Sequence, residues 1–429
     1  MKIGIFTDTY NPVVSGVVTS INMLEQEMKK RGHEVYIFAP SKSIKLEPKD
    51  SQNLYMLKSM PLLVAREYKQ RLAAFYSREI AKQIKEIGLD VVHTQSEFSV
   101  GMFGKIISRK FNIPFIHTYH TMWEDYMHYI LPIKGGRNIY PKRFARTFSR
   151  KFVRKAECII TPSNKTEKYL KYRCKIKNKP IYVVPTGIDT KPFSRDNFTD
   201  EDRKSLKHSL GIKDNEKVIL FLGRVGEEKS IDVLMDNMPA IFKAMPNTKF
   251  LIVGDGPSKE GLEEQAKKLG ISEHVIFTGK VPWQDVPKYY NIGDVFVNAS
   301  QTETQGLTFI EAMAAGLPVV ARFAPNLTEY IYNNKNGILV KKNSDFAKTI
   351  ISILNNEKLI EKLTTNAKTT VKQYSIEEFG DKLEMLYEEI IKNYELKKTL
   401  TTKQEKEKQK KNLYRTITDK LLTLTRLKK

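Results

Sequence analysis

Residues 217–226 read KVILFLGRVG. An apolar run of this length that ends on a glycine turn reads as a short, fully buried strand. A helix from Ile231 to Met245 follows, and then KFLIVGDGP (249–257), a helix over 258–269, VIFTGKV (275–281), DVFVNAS (294–300) and LPVVARF (317–323). Strands alternating with helices of ten to fifteen residues predict a parallel sheet covered on both faces. Upstream the same pattern has already run once. MKIGIFT (1–7) leads to a helix from Val17 to Arg31, then HEVYIFAP (33–40), LDVVHTQ (89–95), IPFIHTYH (113–120), AECIITPS (156–163) and PIYVVPTG (180–187). The sequence therefore predicts an α/β chain of two doubly wound domains. The polar stretch Thr186–Asn215 is the linker between them.

The expected domains are 1–185, with a helix over 376–398 packing back on it, and 186–375. A basic tail over 399–429 is expected to be mobile, or bound to a surface as a short amphipathic anchor. In doubly wound domains ligands gather beyond the C-terminal ends of the strands. With two such domains facing each other, the expected site is the cleft between them, lined by residues just after strands.

One such stretch is TETQGLTFIEAMAAGLPVV, residues 302–320. Glu303 and Glu311 stand eight apart, and Gly306 precedes a helix beginning near Leu307. Backbone N–H groups of Leu307 and Thr308 at a helix N-terminus favour phosphate oxygens. Glu311, a turn further on, could accept hydrogen bonds from a ribose, and Glu303 could hold sugar hydroxyls. The plainer alternative is an Ala-rich packing helix with two solvated acids.

The Glu-x7-Glu element, AMAAGLPVV, GRVGEEKSID and VVPTGID together closely resemble the retaining family 4 glycosyltransferases of the GT-B fold, over residues 1–394. HTYHTMWEDYMHYI and TETQGLT resemble, more narrowly, the bacterial 1,2-diacylglycerol 3-alpha-glucosyltransferases. The resemblance implies two facing Rossmann-like domains with the donor between them. It implies that Arg224 and Lys229 neutralise the donor diphosphate, which suits a planar guanidinium fork and a compact ammonium. It implies a donor contact at Gly16, where a glycine lets backbone approach phosphate, and places His120 against the donor sugar. Catalytic roles thus fall to His120, Glu303, Arg224 and Lys229, and donor binding also to Gly306, Leu307, Thr308 and Glu311. It further implies retention, with the leaving phosphate as base for the acceptor hydroxyl. The expected donor is UDP-glucose and the expected acceptor diacylglycerol or a related lipid, near Asp8, Tyr10, Asn11, Trp123 and Tyr126. A phosphoinositide, a glycolipid or a soluble sugar is the alternative acceptor, and a noncatalytic membrane scaffold the alternative class. His93, His117 and His128 read as structural or acceptor-side.

No permanent cofactor and no metal are expected. His117 and His120 lack an acidic or cysteine partner at ligand spacing. GDGPSKEG (254–261) misplaces the third glycine of a dinucleotide loop, and Leu262 stands where a P-loop needs lysine. Asp200-Glu201-Asp202 lies in the linker and reads as a helix N-terminus. Two cysteines, Cys158 and Cys174, form no disulfide framework.

The formal net charge of +23 implies an anionic partner, whether nucleic acid, an anionic lipid surface or a phosphorylated substrate. Between Lys134 and Lys155 stand nine Lys or Arg residues and no acid. There Phe144, Phe148 and Phe152 recur every fourth residue, with Arg143, Arg146, Arg150 and Arg154 largely on other faces. That pattern predicts an interfacial helix, aromatics toward lipid and cations toward an anionic membrane surface. A phenylalanine stripe packed on the sheet is the alternative. No nucleic-acid module is visible, so no nucleic-acid partner is expected. The opening apolar run lasts about four residues, short of the ~7–15 of a signal peptide. The expected location is peripheral, at the cytoplasmic face of the cell membrane.

Overall fold

The computed structural model describes residues 1–13, 15–41, 53–61, 71–124, 139–399 and 403–426. The chain divides into two compact units, residues 1–187 with 376–429, and residues 188–375.

In the first unit, β1 (Lys2–Phe6), α1 (Gly16–Lys30), β2 (Glu34–Pro40) and β3 (Leu54–Leu57) are followed by a small antiparallel pair, β4 (Ser59–Pro61) with β5 (Arg71–Ala73). Then come α2 (Arg78–Ile87), β6 (Val91–Thr94), α3 (Ser99–Phe111), β7 (Phe115–Thr118), α4 (Ile139–Val153), β8 (Cys158–Thr161), α5 (Asn164–Lys168) and β9 (Ile181–Val183). The main sheet has seven strands in the order β3-β2-β1-β6-β7-β8-β9, and its ladders are parallel. β1 pairs with both β2 and β6, so strand order reverses there.

The second unit repeats the plan. It contains α6 (Asp200–Ser209), β10 (Lys217–Leu222), α7 (Ile231–Ala244), β11 (Thr248–Val253), α8 (Lys259–Lys268), β12 (Val275–Gly279), α9 (Val286–Ile292) and β13 (Val295–Asn298). α10 (Leu307–Ala314), β14 (Val319–Arg322), β15 (Ile338–Val340), α11 (Asp345–Leu354) and α12 (Glu357–Val371) complete it. Its six strands run β12-β11-β10-β13-β14-β15, with the reversal between β10 and β13. The strands read as continuous apolar runs because helices cover both faces of each sheet. Alternate residues feed two cores. Val218, Leu220 and Leu222 face one, and Ile219 and Phe221 the other. α6 opens with a capping box in which Thr199 and Asp202 satisfy each other's backbone N–H groups, so the acidic triplet there caps a helix.

Two further helices return to the first unit, α13 (Ile376–Thr399) and α14 (Lys403–Arg426). Arg31 at the end of α1 fastens α13, its guanidinium reaching Glu384 at 2.7 Å and Asp381 at 2.9 Å. The basic tail differs from the mobile segment expected. Residues 403–426 are helical, and Leu413 and Ile417 are buried in the same core as Phe379, Leu383 and Tyr387. Leu413 and Ile417 thus serve the protein's own core, while Leu422 is 49% exposed.

The aromatic stripe of α4 also divides. Phe152 is only 2% exposed and packs on Phe115 and His117, with the Lys105 ammonium over its ring at 5.0 Å. It is a core residue and does not face lipid, because the C-terminal turn of α4 lies against the sheet. Phe148 is half-buried against Phe98, and Phe144 is 65% exposed. Arg146 is paired with Glu124, whereas Arg143, Arg150 and Arg154 are exposed. Among the described residues, no helix is long and apolar enough to cross a membrane.

Urea unfolding monitored by circular dichroism should separate the two ends of the stripe. Phe152→Ala is expected to cost about 3–5 kcal/mol, and Phe144→Ala to stay within about 0.5 kcal/mol of the parent.

Candidate active site

The second unit places two loops side by side at its switch point, one after β10 and one after β13. The first holds Arg224 and Lys229, the second Ser300 to Gly306. Lys229 Nζ donates to Glu303 Oε1 at 2.5 Å. The Ser300 hydroxyl donates to the Glu228 carbonyl at 2.9 Å. Arg224 Nη2 donates to Glu228 Oε1 at 2.5 Å, and the Glu228 side chain is nearly buried. The structure therefore brings Arg224, Lys229 and Glu303 into one charged cluster. It adds Glu228, whose only sequence signal was its position four residues after Arg224.

Backbone closeness shapes the same region. Gly254 lies in the loop after β11, and a Cβ there would sit 1.9 Å from the Gly223 carbonyl oxygen. This is what GDGP contributes: room for the β10 loop. Gly306 has φ +86° and is the residue before α10, with no side chain to cap that helix. A left-handed glycine turns the chain into the helix and leaves its first-turn N–H groups without a side-chain cap. Tyr330 pins the turn, its hydroxyl donating to the Gln305 carbonyl at 2.6 Å.

Glu311 is almost wholly withdrawn from solvent. It is 5% exposed and accepts from the Tyr290 hydroxyl at 2.8 Å. Burial pushes its pKa up to about 7, against a smaller opposing effect of the Tyr290 hydrogen bond. Tyr290, on α9, is a partner the sequence did not reveal.

In the first unit His120 follows β7, and its Nε2–H donates to Gln95 Oε1 at 2.7 Å. Burial and the neighbouring His117 hold its pKa down, to about 3, so the ring is neutral. His117 is fully buried with Nδ1 at 2.8 Å from the Thr94 hydroxyl. His93 is likewise buried between Tyr387 and Thr118. Gly16 is the first residue of α1, one position inside the helix, and Ser15 caps that helix through Val18 N–H.

The acceptor candidates scatter. Asp8 does not present a carboxylate to an acceptor. Both of its oxygens accept within the chain, from Ser96 and Ser99 hydroxyls at 2.6 Å each and from Val100 N–H at 2.8 Å, which anchors the start of α3. Tyr10 donates to Glu25 at 2.7 Å, and Asn11 is exposed beside Asn22. Trp123 donates from Nε1 to Glu97 at 2.8 Å. Tyr126 and His128 lie outside the described residues.

Comparison with known proteins follows the division of the chain. The model for glycosyltransferase family 4 matches residues 14–192, and that for glycosyl transferases group 1 matches residues 202–370. The alpha-monoglucosyldiacylglycerol synthase of Acholeplasma laidlawii is 34% identical over 91% of this chain and 98% of its own. The synthase of the same name from Streptococcus pneumoniae is 37% identical over 93% of this chain and 88% of its own. The chain belongs to glycosyltransferase family 4. As a member of it, it is a hexosyltransferase. Among solved structures, the family 4 chain is similar to sucrose-phosphate synthase from Thermosynechococcus elongatus, with a TM-score of 0.71 and 20% identity over 91% of this chain and 98% of that one. It is also similar to Anabaena HepE crystallised with UDP and glucose, with a TM-score of 0.70 and 16% identity over 90% and 99% of the two chains. These likenesses identify the fold of this family 4 enzyme as GT-B.

The raised pKa of Glu311 has a thermodynamic consequence in the enzyme without substrate. The folded state binds a proton that the unfolded state releases near its ordinary 4.5. Stability from this group is full below that pH and is lost as pH rises through about 7. Glu311→Gln keeps the acceptor for Tyr290 and removes the titration. Its melting temperature should gain on the parent between pH 5.5 and 8.5, by about 4–8 °C for a difference of roughly 2 kcal/mol. Parallel pH profiles in differential scanning calorimetry would refute this.

Proposed function

We propose that this enzyme transfers glucose from UDP-glucose to the free hydroxyl of a 1,2-diacylglycerol with retention, making an alpha-monoglucosyldiacylglycerol at a membrane surface. The support is its identity, at 34% and 37% over more than nine-tenths of its length, to two proteins named as synthases of that glycolipid. The observation that carries the chemistry is the cluster of Arg224, Lys229 and Glu303 at the switch point of the second unit.

In the reaction, the bond between sugar C1 and the diphosphate oxygen breaks, and one between C1 and the acceptor oxygen forms. The acceptor proton passes to the leaving phosphate. Negative charge builds on the diphosphate, and the fixed cations Arg224 and Lys229 oppose it without reorganising. Leu307 and Thr308 N–H groups at the start of α10 and backbone near Gly16 supply further donors. Positive charge builds at C1, so the sugar must be held still. Glu303 can accept from its hydroxyls while keeping Lys229 at hand, and the contact proposed for His120 is likewise with the sugar. One Glu311 oxygen accepts from Tyr290, which leaves the other for the ribose hydroxyls.

The acceptor partitions into lipid, so the enzyme must reach a bilayer. Phe144 and the exposed cations Arg143, Arg150 and Arg154 provide an aromatic contact and charge for an anionic membrane surface. Phe148 is partly withdrawn and Phe152 wholly so. Each such cation contributes about 1 kcal/mol near anionic lipid, and the contribution is lost in salt.

Release of UDP from UDP-glucose in the presence of diacylglycerol vesicles, with product identified by mass spectrometry, tests the proposal. Absence of turnover across UDP- and GDP-sugars and lipid acceptors would overturn it. Lys229→Ala and Glu303→Ala are expected to lower kcat/KM by about 10²–10³-fold or more, with vesicle sedimentation unchanged.

A further inference from the structure

A chain of buried polar groups runs through the first unit to His120. Tyr387 on α13 lies with its hydroxyl 2.6 Å from His93 Nδ1. His93 Nε2 is 2.6 Å from the Thr118 hydroxyl and 3.2 Å from Gln95 Nε2. Gln95 Oε1 is 2.7 Å from His120 Nε2. Tyr387 and His93 are fully buried and Gln95 almost so. Each polar group buried here costs desolvation unless it is bonded. Every link is bonded. A fully satisfied buried network specifies one geometry, since any rearrangement leaves a group unpaired.

The chemistry of the links sets the direction of each proton. Burial keeps His93 neutral, its pKa well below the ordinary value, with His117 and His120 adding to the effect. The Gln95 amide N–H donates to His93 Nε2, so His93 carries its proton on Nδ1 and donates to Tyr387. The Gln95 carbonyl oxygen can only accept, so His120 must carry its proton on Nε2. Nδ1 of His120 then bears the lone pair, and no described residue bonds to it. A histidine's tautomer is set by the bond its other nitrogen makes.

We propose that Gln95 is a positioning residue for glucosyl transfer: it fixes His120 as the Nε2–H tautomer and aims Nδ1 as an acceptor for a hydroxyl of the donor sugar. The catalytic consequence rests on the proposed contact between His120 and that sugar; the tautomer does not. Gln95 is almost wholly buried and acts through the ring of His120. Its own carboxamide is held by His93, and His93 by Tyr387 on the helix that begins directly after the second unit. One mobile side chain is thereby replaced by a ring held in one orientation and one protonation form.

The full-length enzyme carrying ¹⁵N-histidine, at pH 7.5, decides the tautomer by two-dimensional ¹⁵N–¹H correlation, with His120 assigned by its loss in His120→Asn. A neutral ring protonated on Nε2 is expected. A ring protonated on Nδ1, as a flipped Gln95 amide would impose, or an average of the two forms, overturns the proposal without any variant of Gln95. Gln95→Met keeps the volume and deletes both bonds. Its kcat with UDP-glucose and diacylglycerol vesicles should fall about 10–100-fold, as for loss of the residues that orient metal-bound histidines. Donor KM should stay within about threefold, and UDP affinity by calorimetry should not change. Gln95→Glu retains an acceptor for Nε2–H and should recover at least about tenfold of the Met variant's loss. Parental kcat in Gln95→Met overturns the positioning role. Full turnover in His120→Asn would instead sink the sugar contact, and the tautomer measurement would stand by itself.

Discussion

Parallel pairing between strands that are not consecutive governs this enzyme. β10 pairs with β13, through Ile219 with Val295 and Leu220 with Phe296, although a long stretch of chain separates them. The chain runs out from β10 to one side and returns to the other, and this leaves no helix to fill the gap above those two strand ends. The loops after them must therefore meet. Arg224 and Lys229 come from one loop and Glu303 from the other. Pairing of β1 with β6 does the same in the first unit, where Asp8 and Ser96 meet at 2.6 Å.

Once the loops meet, their charges have to be reconciled. In the second unit the answer is pairing: Lys229 with Glu303 and Arg224 with Glu228. Such pairs hold the cations at fixed positions, which suits the proposed reaction, whose charge develops on the leaving group. In the first unit the answer is capping. Asp8 is consumed by α3, whose start would otherwise carry unsatisfied N–H groups beneath the sheet edge. The switch-point loops of the two units thus hold acids with opposite uses. One acid holds a cation in a charged cluster, and the other builds the fold.

The basic helix α4 illustrates how tertiary packing grades a uniform pattern. Its phenylalanines recur at equal spacing, yet they pass from exposed Phe144 through half-buried Phe148 to buried Phe152. Equal spacing sets the face of a helix and not its inclination to the sheet. The same holds for α14, in the tail expected to be mobile or a surface anchor, where Leu413 and Ile417 are covered by the first unit's own core.

The sequence by itself determined the alternation of strand and helix, the restart at KVILFLG, the family, and the loops that carry Arg224, Lys229, Glu303 and Gly306. All of these are local patterns, a few residues long, set by apolar periodicity and turn chemistry. Only the tertiary structure decided which acid is structural and which is paired. Glu311 sits under Tyr290, Asp8 under α3, and Gln95 between two histidines, from partners distant in the chain. A side chain's protonation and direction depend on what surrounds it in space, and no spacing along a sequence carries that information.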